Sequence, residues 1–194
     1  KTKLVVTAHT TPKEAFNERT TRILRFLAKR NKVIMTAVSD ENKRLISDYY
    51  GISLDKVECV NNGVDLSRYY RKEHNQITFI NVARMDANKN QELIIKLFAR
   101  LDSFKKMKLI LCGDGPERIK LESMVNNLNI AENVFFTGNV GNVYDYLADA
   151  DIYIQASHRE GLPLSVIEAV ATKLPIISTD VGGMKNIVTD NGFL

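Results

Sequence analysis

Two hydrophobic patterns alternate along the chain. Short, nearly continuous apolar runs occur at Leu4 to Ala8, Val33 to Val38 and Val57 to Val60. They recur at Ile77 to Ala83, Lys108 to Cys112, Val134 to Phe136, Ile152 to Ala156 and Pro175 to Ser178. Runs of this kind fit strands buried in a parallel sheet. Between them the spacing becomes helical. It predicts helices from Pro12 to about Arg30, from Ser39-Asp40 to Tyr50, and from Asn90 to Leu101. Further helices are expected near Pro116 to Leu128, near Val143 to Ala148, and onward from Leu162-Pro163. In the first helix Phe16, Ile23, Leu24 and Leu27 form the apolar stripe, and Arg19, Arg22, Arg25 and Lys29 lie opposite. Ser39-Asp40 is a cap and Gly51 a stop.

Strands alternating with helices imply an α/β protein with parallel sheets covered on both faces. Ser67 to Asn75 is polar, has neither period, and reads as a linker. The expected organisation is 1–66, a linker at 67–75, and 76–194. The first part holds only three strand–helix units and the chain stops at Asn191-Gly192-Phe193-Leu194. We therefore expect a fragment: the tail of one domain, the linker and most of a second domain.

Composition excludes several classes. Apolar residues make up 44% and charged residues 26%, as in an ordinary globular protein. No apolar run is long enough to span a bilayer, and no secretory signal is visible. Cys59 and Cys112 are far apart, without metal spacing, and read as reduced and buried, which fits a cytoplasmic protein. Residues 1–75 carry 15 Lys/Arg against 9 Asp/Glu, and the remainder carries 12 against 14. No nucleic-acid signature accompanies this basic first part, so no nucleic-acid partner is expected. The four cations of the first helix leave two readings open, a solvated face or peripheral contact with an anionic inner membrane surface.

Candidate chemistry concentrates in the second part. Asp151 to Val170 reads as strand, turn and helix, with Pro163 in the first helical turn and helix-start N–H groups aimed at the turn. Glu160 and Glu168 bracket that turn, and Ser165 shares a helix face with Glu168. Arg84 and Lys89 follow the Ile77–Ala83 strand, where α/β sheets bind ligands. Gly113-Asp114-Gly115-Pro116 is a tight strand-to-helix turn and lacks the G-x-G-x-x-G fingerprint. Gly138-Asn139-Val140 follows another strand. Asp149-Ala150-Asp151 looks like a D-x-D metal motif, but the apolar run comes after it, so it reads as a helix-to-strand corner. His74 and His158 have no metal spacing, and His9 ends the first strand.

Taken in order from His9 to Leu194, these motifs resemble those of the family 4 retaining glycosyltransferases, which have the GT-B fold. The resemblance rests on R-x4-K at Arg84 and Lys89, on G-D-G-P, on E-x7-E at Glu160 and Glu168, and on N-G-V-D at Asn62 to Asp65. It departs at Asn90, where the family more often has Gly, and at Met184-Lys185 after Gly182-Gly183. It implies two Rossmann-like domains, the second binding the donor. The activity implied is transfer of a sugar from a UDP- or GDP-sugar to a saccharide or lipid-linked acceptor, with retention, in bacterial surface polysaccharide or glycolipid biosynthesis. Glu160 and His9 would face the donor sugar as catalytic residues. Arg84, Lys89 and the backbone at Gly161, Leu162 and Leu164 would hold the diphosphate, Glu168 the ribose, and the loop at Val140 the nucleobase. No metal and no other cofactor is implied. A sugar-nucleotide epimerase of the same architecture, or a non-catalytic nucleotide-sugar-binding fragment, is the alternative, and the fragment alone is expected to be inactive.

Overall fold

The structure, a computed structural model, describes residues 4–8, 17–73, 75–101 and 104–194. His9, Pro12, Phe16 and His74, together with the expected start of the first helix, lie outside the described residues. The chain forms two compact units. The first comprises 1–63 with 160–163 and 181–183, and the second comprises the remaining residues.

In the first unit three parallel strands, β1 (Leu4–Ala8), β2 (Val33–Ala37) and β3 (Val57–Cys59), pair in the order β1-β2-β3. Helices α1 (Glu18–Lys29) and α2 (Asp40–Tyr50) connect them. Side chains define both helix starts. Asn17 Oδ1 accepts from Thr20 N at 2.9 Å, and Ser39 Oγ accepts from Asn42 N at 3.1 Å. Gly51 ends α2 with φ +58°, as the sequence predicts. The core gathers Leu24, Ala28, Met35, Ile46, Tyr50 and Val57.

Two expectations fail here. β1 is the end strand of the three among the described residues, and its Leu4 and Val5 are about half exposed rather than buried. The buried face of α1 is Thr21, Leu24 and Ala28, with Leu27 half-buried, while Ile23 is 52% exposed.

The second unit holds a six-stranded parallel sheet in the order β6-β5-β4-β7-β8-β9. The strands are β4 (Thr78–Val82), β5 (Lys108–Cys112), β6 (Val134–Gly138), β7 (Ile152–Gln155), β8 (Ile176–Ser178) and β9 (Gly192–Phe193). Its helices are α3 (Gln91–Phe98), α4 (Arg118–Asn127), α5 (Val143–Ala148) and α6 (Leu164–Ala171). The two-residue β9 was not expected from the sequence, being too short to carry a period. The chain starts in the middle of this sheet at β4, builds outward through β5 and β6, then returns to β7 on the other side. That order places a topological switch point between β4 and β7. Met85, Ile94, Ile95, Leu109, Leu111 and Leu121 belong to the core. An apolar hollow of ≈ 290 Å³ opens among Phe79, Leu97, Phe98, Ile154 and Ile177.

The polar stretch expected as a linker is a strap fastened to the second unit. Tyr70 Oη donates to Asp145 at 3.1 Å, Arg71 pairs with Asp151 at 3.3 Å and Lys72 with Asp149 at 3.1 Å. The Lys72 backbone N–H also donates to Ala148 O at 3.0 Å. Asp151 in addition accepts from Thr78 N at 2.9 Å. Both aspartates of the D-x-D sequence therefore serve the corner between α5 and β7. Cys112 is buried and Cys59 half-buried; both are free thiols.

Candidate functional site

The site is built where β4, β5 and β6 end. A cleft of ≈ 500 Å³ opens there, bordered by Val82, Ala83, Arg84, Gly113, Gly115 and Val140. The loop carrying Arg84 is seated on its neighbour by backbone contacts, and Gln91 Nε2 also donates to Arg84 O at 3.0 Å. Ala83 N donates to Cys112 O at 3.0 Å, Met85 N to Asp114 O at 2.9 Å, and Glu117 N to Met85 O at 3.0 Å. This close approach requires glycine twice. A Cβ on Gly113 would sit 2.1 Å from Ala83 O, and one on Gly115 would sit 2.3 Å from Met85 O. The G-D-G sequence is thus the surface on which the Arg84 loop lies. Asp114 Oδ1 accepts from Gly115 N and its Oδ2 pairs with Arg118 at 2.9 Å. These two contacts, the backbone one first, hold its carboxyl below the usual range. Cys112 beneath the cleft is pushed up to about 11 by burial, which keeps it a thiol.

Arg84 itself is largely exposed, with Nε 3.7 Å from Asp86 Oδ2. Asp86 also organises the turn, accepting from Asn88 N at 3.1 Å and Lys89 N at 3.2 Å. Asn90, at the position where the resemblance leads one to expect Gly, has φ +51° and ψ 42°. Asn tolerates this left-handed conformation better than other residues with a side chain, so the departure preserves the turn. The Arg84–Lys89 loop is also tied across the switch point. His158 N donates to Asn88 O at 2.8 Å, and Asn88 Nδ2 donates to Arg159 O at 2.9 Å.

Glu168 projects from α6 and accepts from Tyr69 Oη at 3.0 Å. Ser165, predicted on the same helix face, is engaged separately: its Oγ lies 2.8 Å from the buried Tyr153 hydroxyl. That hydroxyl also lies 3.3 Å from Gln155 Oε1 and 3.4 Å from Val82 O. Tyr153 thereby links the start of α6 to the end of β4. α6 begins at Leu164, so Pro163 stands just before the helix and not in its first turn.

Glu160, Gly161 and Leu162 group with the first unit. Gly183 N donates to Gly161 O at 2.8 Å, and Asn62 Nδ2 donates to Leu162 O at 2.7 Å. A Cβ on Gly182, whose φ is +58°, would come within 2.2 Å of Glu160 O. The Gly182-Gly183 turn thus shapes the backbone at Glu160, a role that does not need the family's usual residues at Met184-Lys185. The structure brings Arg84 and Val140 to one cleft and joins Glu168 to Tyr69. Sequence reasoning passed over Tyr69, Tyr153 and Asn88. A tyrosine inside an apolar strand, whose hydroxyl must find a partner, was the signal for Tyr153.

A parallel α/β sheet with a cleft beyond the carboxyl ends of β4, β5 and β6, beside the β4–β7 switch point and rimmed by an exposed cation, defines the class of open α/β domains that take ligands at their strand ends. Known proteins narrow the class. The family model for glycosyl transferases group 1 matches residues 65–194, and that for glycosyltransferase family 4 matches residues 1–68. The chain belongs to this glycosyltransferase family. It is 31% identical over 76% of its length to the uncharacterized glycosyltransferase MJ1059 of Methanocaldococcus jannaschii. It is 29% identical over its whole length to a Campylobacter jejuni N-acetylgalactosamine-N,N'-diacetylbacillosaminyl-diphospho-undecaprenol 4-alpha-N-acetylgalactosaminyltransferase. It spans 39% and 55% of these two relatives. Crystal structures of Anabaena Alr3699/HepE with UDP and with UDP-glucose match with TM-scores of 0.86 and 0.85 at 22% and 20% identity. The match covers 99% of this chain and 58% of theirs and establishes the GT-B architecture.

Proposed function

We propose that the chain supplies the donor-binding part of a retaining glycosyltransferase that moves a sugar from a UDP- or GDP-sugar to a saccharide or lipid-linked acceptor. The observation that carries this reading is the cleft at the ends of β4, β5 and β6, with Arg84 on a loop fixed by backbone contacts. An exposed cation carried there on a fixed loop suits a phosphate group. The activities of related proteins agree. One acts on an undecaprenol-linked saccharide, and Escherichia coli WbnH, 30% identical over 80% of this chain, is an O-antigen biosynthesis glycosyltransferase. The Anabaena structures contain UDP, which supports a nucleotide as the ligand of this fold.

In this reading the bond from the sugar's anomeric carbon to the diphosphate breaks as a bond to the acceptor oxygen forms on the same face. The acceptor proton passes to the departing phosphate oxygen. Negative charge grows on the diphosphate, and Arg84 and Lys89 stabilise it without a metal. Val140 borders the nucleobase and Glu168 takes the ribose hydroxyls. The roles of Glu160 and His9 toward the sugar, and of the backbone at Gly161, Leu162 and Leu164 toward the diphosphate, rest on the family resemblance. The basic face of α1 would lie on an anionic membrane surface, where lipid-linked acceptors are met, the enzyme remaining cytoplasmic and peripheral.

Calorimetric titration of the chain with UDP and GDP, in buffer containing EDTA, tests the proposal. One of the two nucleotides should bind. Arg84→Ala should weaken that diphosphate by about 10-fold or more, the scale of a lost charged hydrogen bond, and leave the parent nucleoside nearly unchanged. Absence of binding by either nucleotide, or an unchanged diphosphate affinity in the variant, would overturn it.

A further inference from the structure

A contact that the family roles leave unused joins the strap to the ribose-binding helix. Tyr69 lies 99 positions before Glu168 in sequence, yet its hydroxyl donates to Glu168 Oε1 at 3.0 Å. Both side chains are half-buried, and no ion pair to Glu168 is found among the described residues. We propose that Tyr69 is a positioning residue: it fixes the Glu168 carboxylate in the orientation that receives both ribose hydroxyls of the nucleotide. The inference rests on the ribose role given to Glu168 above.

The physical argument concerns the last torsion of glutamate. That torsion is broad and two-fold, so an unattended carboxylate turns through many orientations. A ribose diol presents two O–H donors side by side and needs both carboxylate oxygens in one plane. A carboxylate has about four lone-pair sites, so one bond from a tyrosine leaves Oε2 and a second site on Oε1 available. The tyrosine therefore orients the acceptor without filling it. Fixing a rotatable group before the ligand arrives removes an ordering cost from binding. Tyr69 is also built to remain a donor. Burial first, then the hydrogen bond to Glu168, pushes its hydroxyl up to about 12, so it keeps its proton throughout the neutral range. Its place is secured by the strap, through the Tyr70–Asp145, Arg71–Asp151 and Lys72–Asp149 contacts on either side of the α5–β7 corner.

The test compares the wild-type chain with Tyr69→Phe, which keeps the ring and removes only the hydroxyl. Each is titrated with UDP and GDP and with the 2′,3′-dideoxy analogue of whichever binds. The wild type should prefer the natural nucleotide. Tyr69→Phe should weaken the natural nucleotide by about 3- to 10-fold, the range of one net hydrogen bond. It should leave the dideoxy analogue within about 1.5-fold of wild type. In a Glu168→Ala background the same substitution should add nothing further. An equal loss for both nucleotides would mark Tyr69 as merely structural and overturn the inference. So would unchanged or tighter binding of the natural nucleotide. A wild-type chain that binds the natural and dideoxy forms equally would remove the ribose role of Glu168, and this inference with it. No binding of UDP or GDP at all is instead the failure of the donor reading itself, already scored by the first titration.

Discussion

The first unit starts its helices with side-chain caps, whereas in the second the Arg84 loop is seated on the Gly113–Gly115 turn by direct backbone contact. In the first, Asn17 and Ser39 cap α1 and α2 through their side-chain oxygens, and Gly51 closes α2. In the second, the Arg84 loop lies directly on Gly113 and Gly115, with main-chain hydrogen bonds on both sides. A cap tolerates exchange among Ser, Thr, Asp and Asn, because each supplies an oxygen. A backbone-to-backbone seat tolerates nothing larger than hydrogen. The units also differ in what they show to solvent. α1 exposes Ile23 and Phe26 among Arg19, Arg22, Lys29 and Arg30, with the Arg30 guanidinium 3.8 Å above the Phe26 ring. The second unit instead shows charge networks of both signs, such as Glu92 with Lys96 and Lys120.

The sharpest way to break this contrast is to add one methyl group to each unit. Gly115→Ala places a carbon against Met85 O and should cost roughly 2–3 kcal/mol, as overpacking does. It should also abolish nucleotide heat by displacing the neighbouring Arg84. Gly63→Ala in the first unit meets nothing within 4 Å and should be almost silent. Urea denaturation and calorimetry of the two variants check this, and similar losses in both would dissolve the distinction.

A smaller effect probes the exposed face of α1. Arg25 belongs to the predicted basic stripe, but its Nη2 donates to Tyr49 O at 2.5 Å, at the end of α2, so it should be left intact. Changing Arg22 and Lys29 to Glu should abolish co-sedimentation with anionic vesicles at low salt. Each cation near such a surface contributes on the order of 1 kcal/mol and is screened by salt. Wild-type binding to neutral vesicles, or an unaltered double variant, would leave a solvated face.

The smallest effect lies in the second unit's charge network. Lys96 first, and then Lys120, hold the Glu92 carboxyl down to about 2. A depressed acid contributes stability above its ordinary value of 4.5 and loses it as pH falls toward about 2. Glu92→Gln should therefore lower Tm slightly at pH 7, and the gap should close as pH drops through that window. The Glu92 ion pairs lie at the surface and are screened by solvent, so the gap is small. A gap that widened toward acid would contradict the sign.

Much of the fold was legible because its signals are local. The β5 run Lys108–Cys112, the Ser39 cap and the Gly51 stop were each read from neighbouring residues and stand where expected. The ordered Arg84, Lys89, Gly113, Glu160 and Glu168 motifs pointed to the family that the sequence matches show. Tertiary structure decided what those signals could not. That Leu4 and Val5 stayed half exposed, and that Thr21, Leu24 and Ala28 rather than Ile23 faced the core, depended on packing between elements distant in sequence. Asn90 fits because the loop's left-handed turn is fixed by its surroundings. Tyr153 and Tyr69 show the same limit from the side of polar groups. Their partners lie 12 and 99 positions away, and a hydroxyl inside a protein finds its acceptor through packing rather than through sequence spacing.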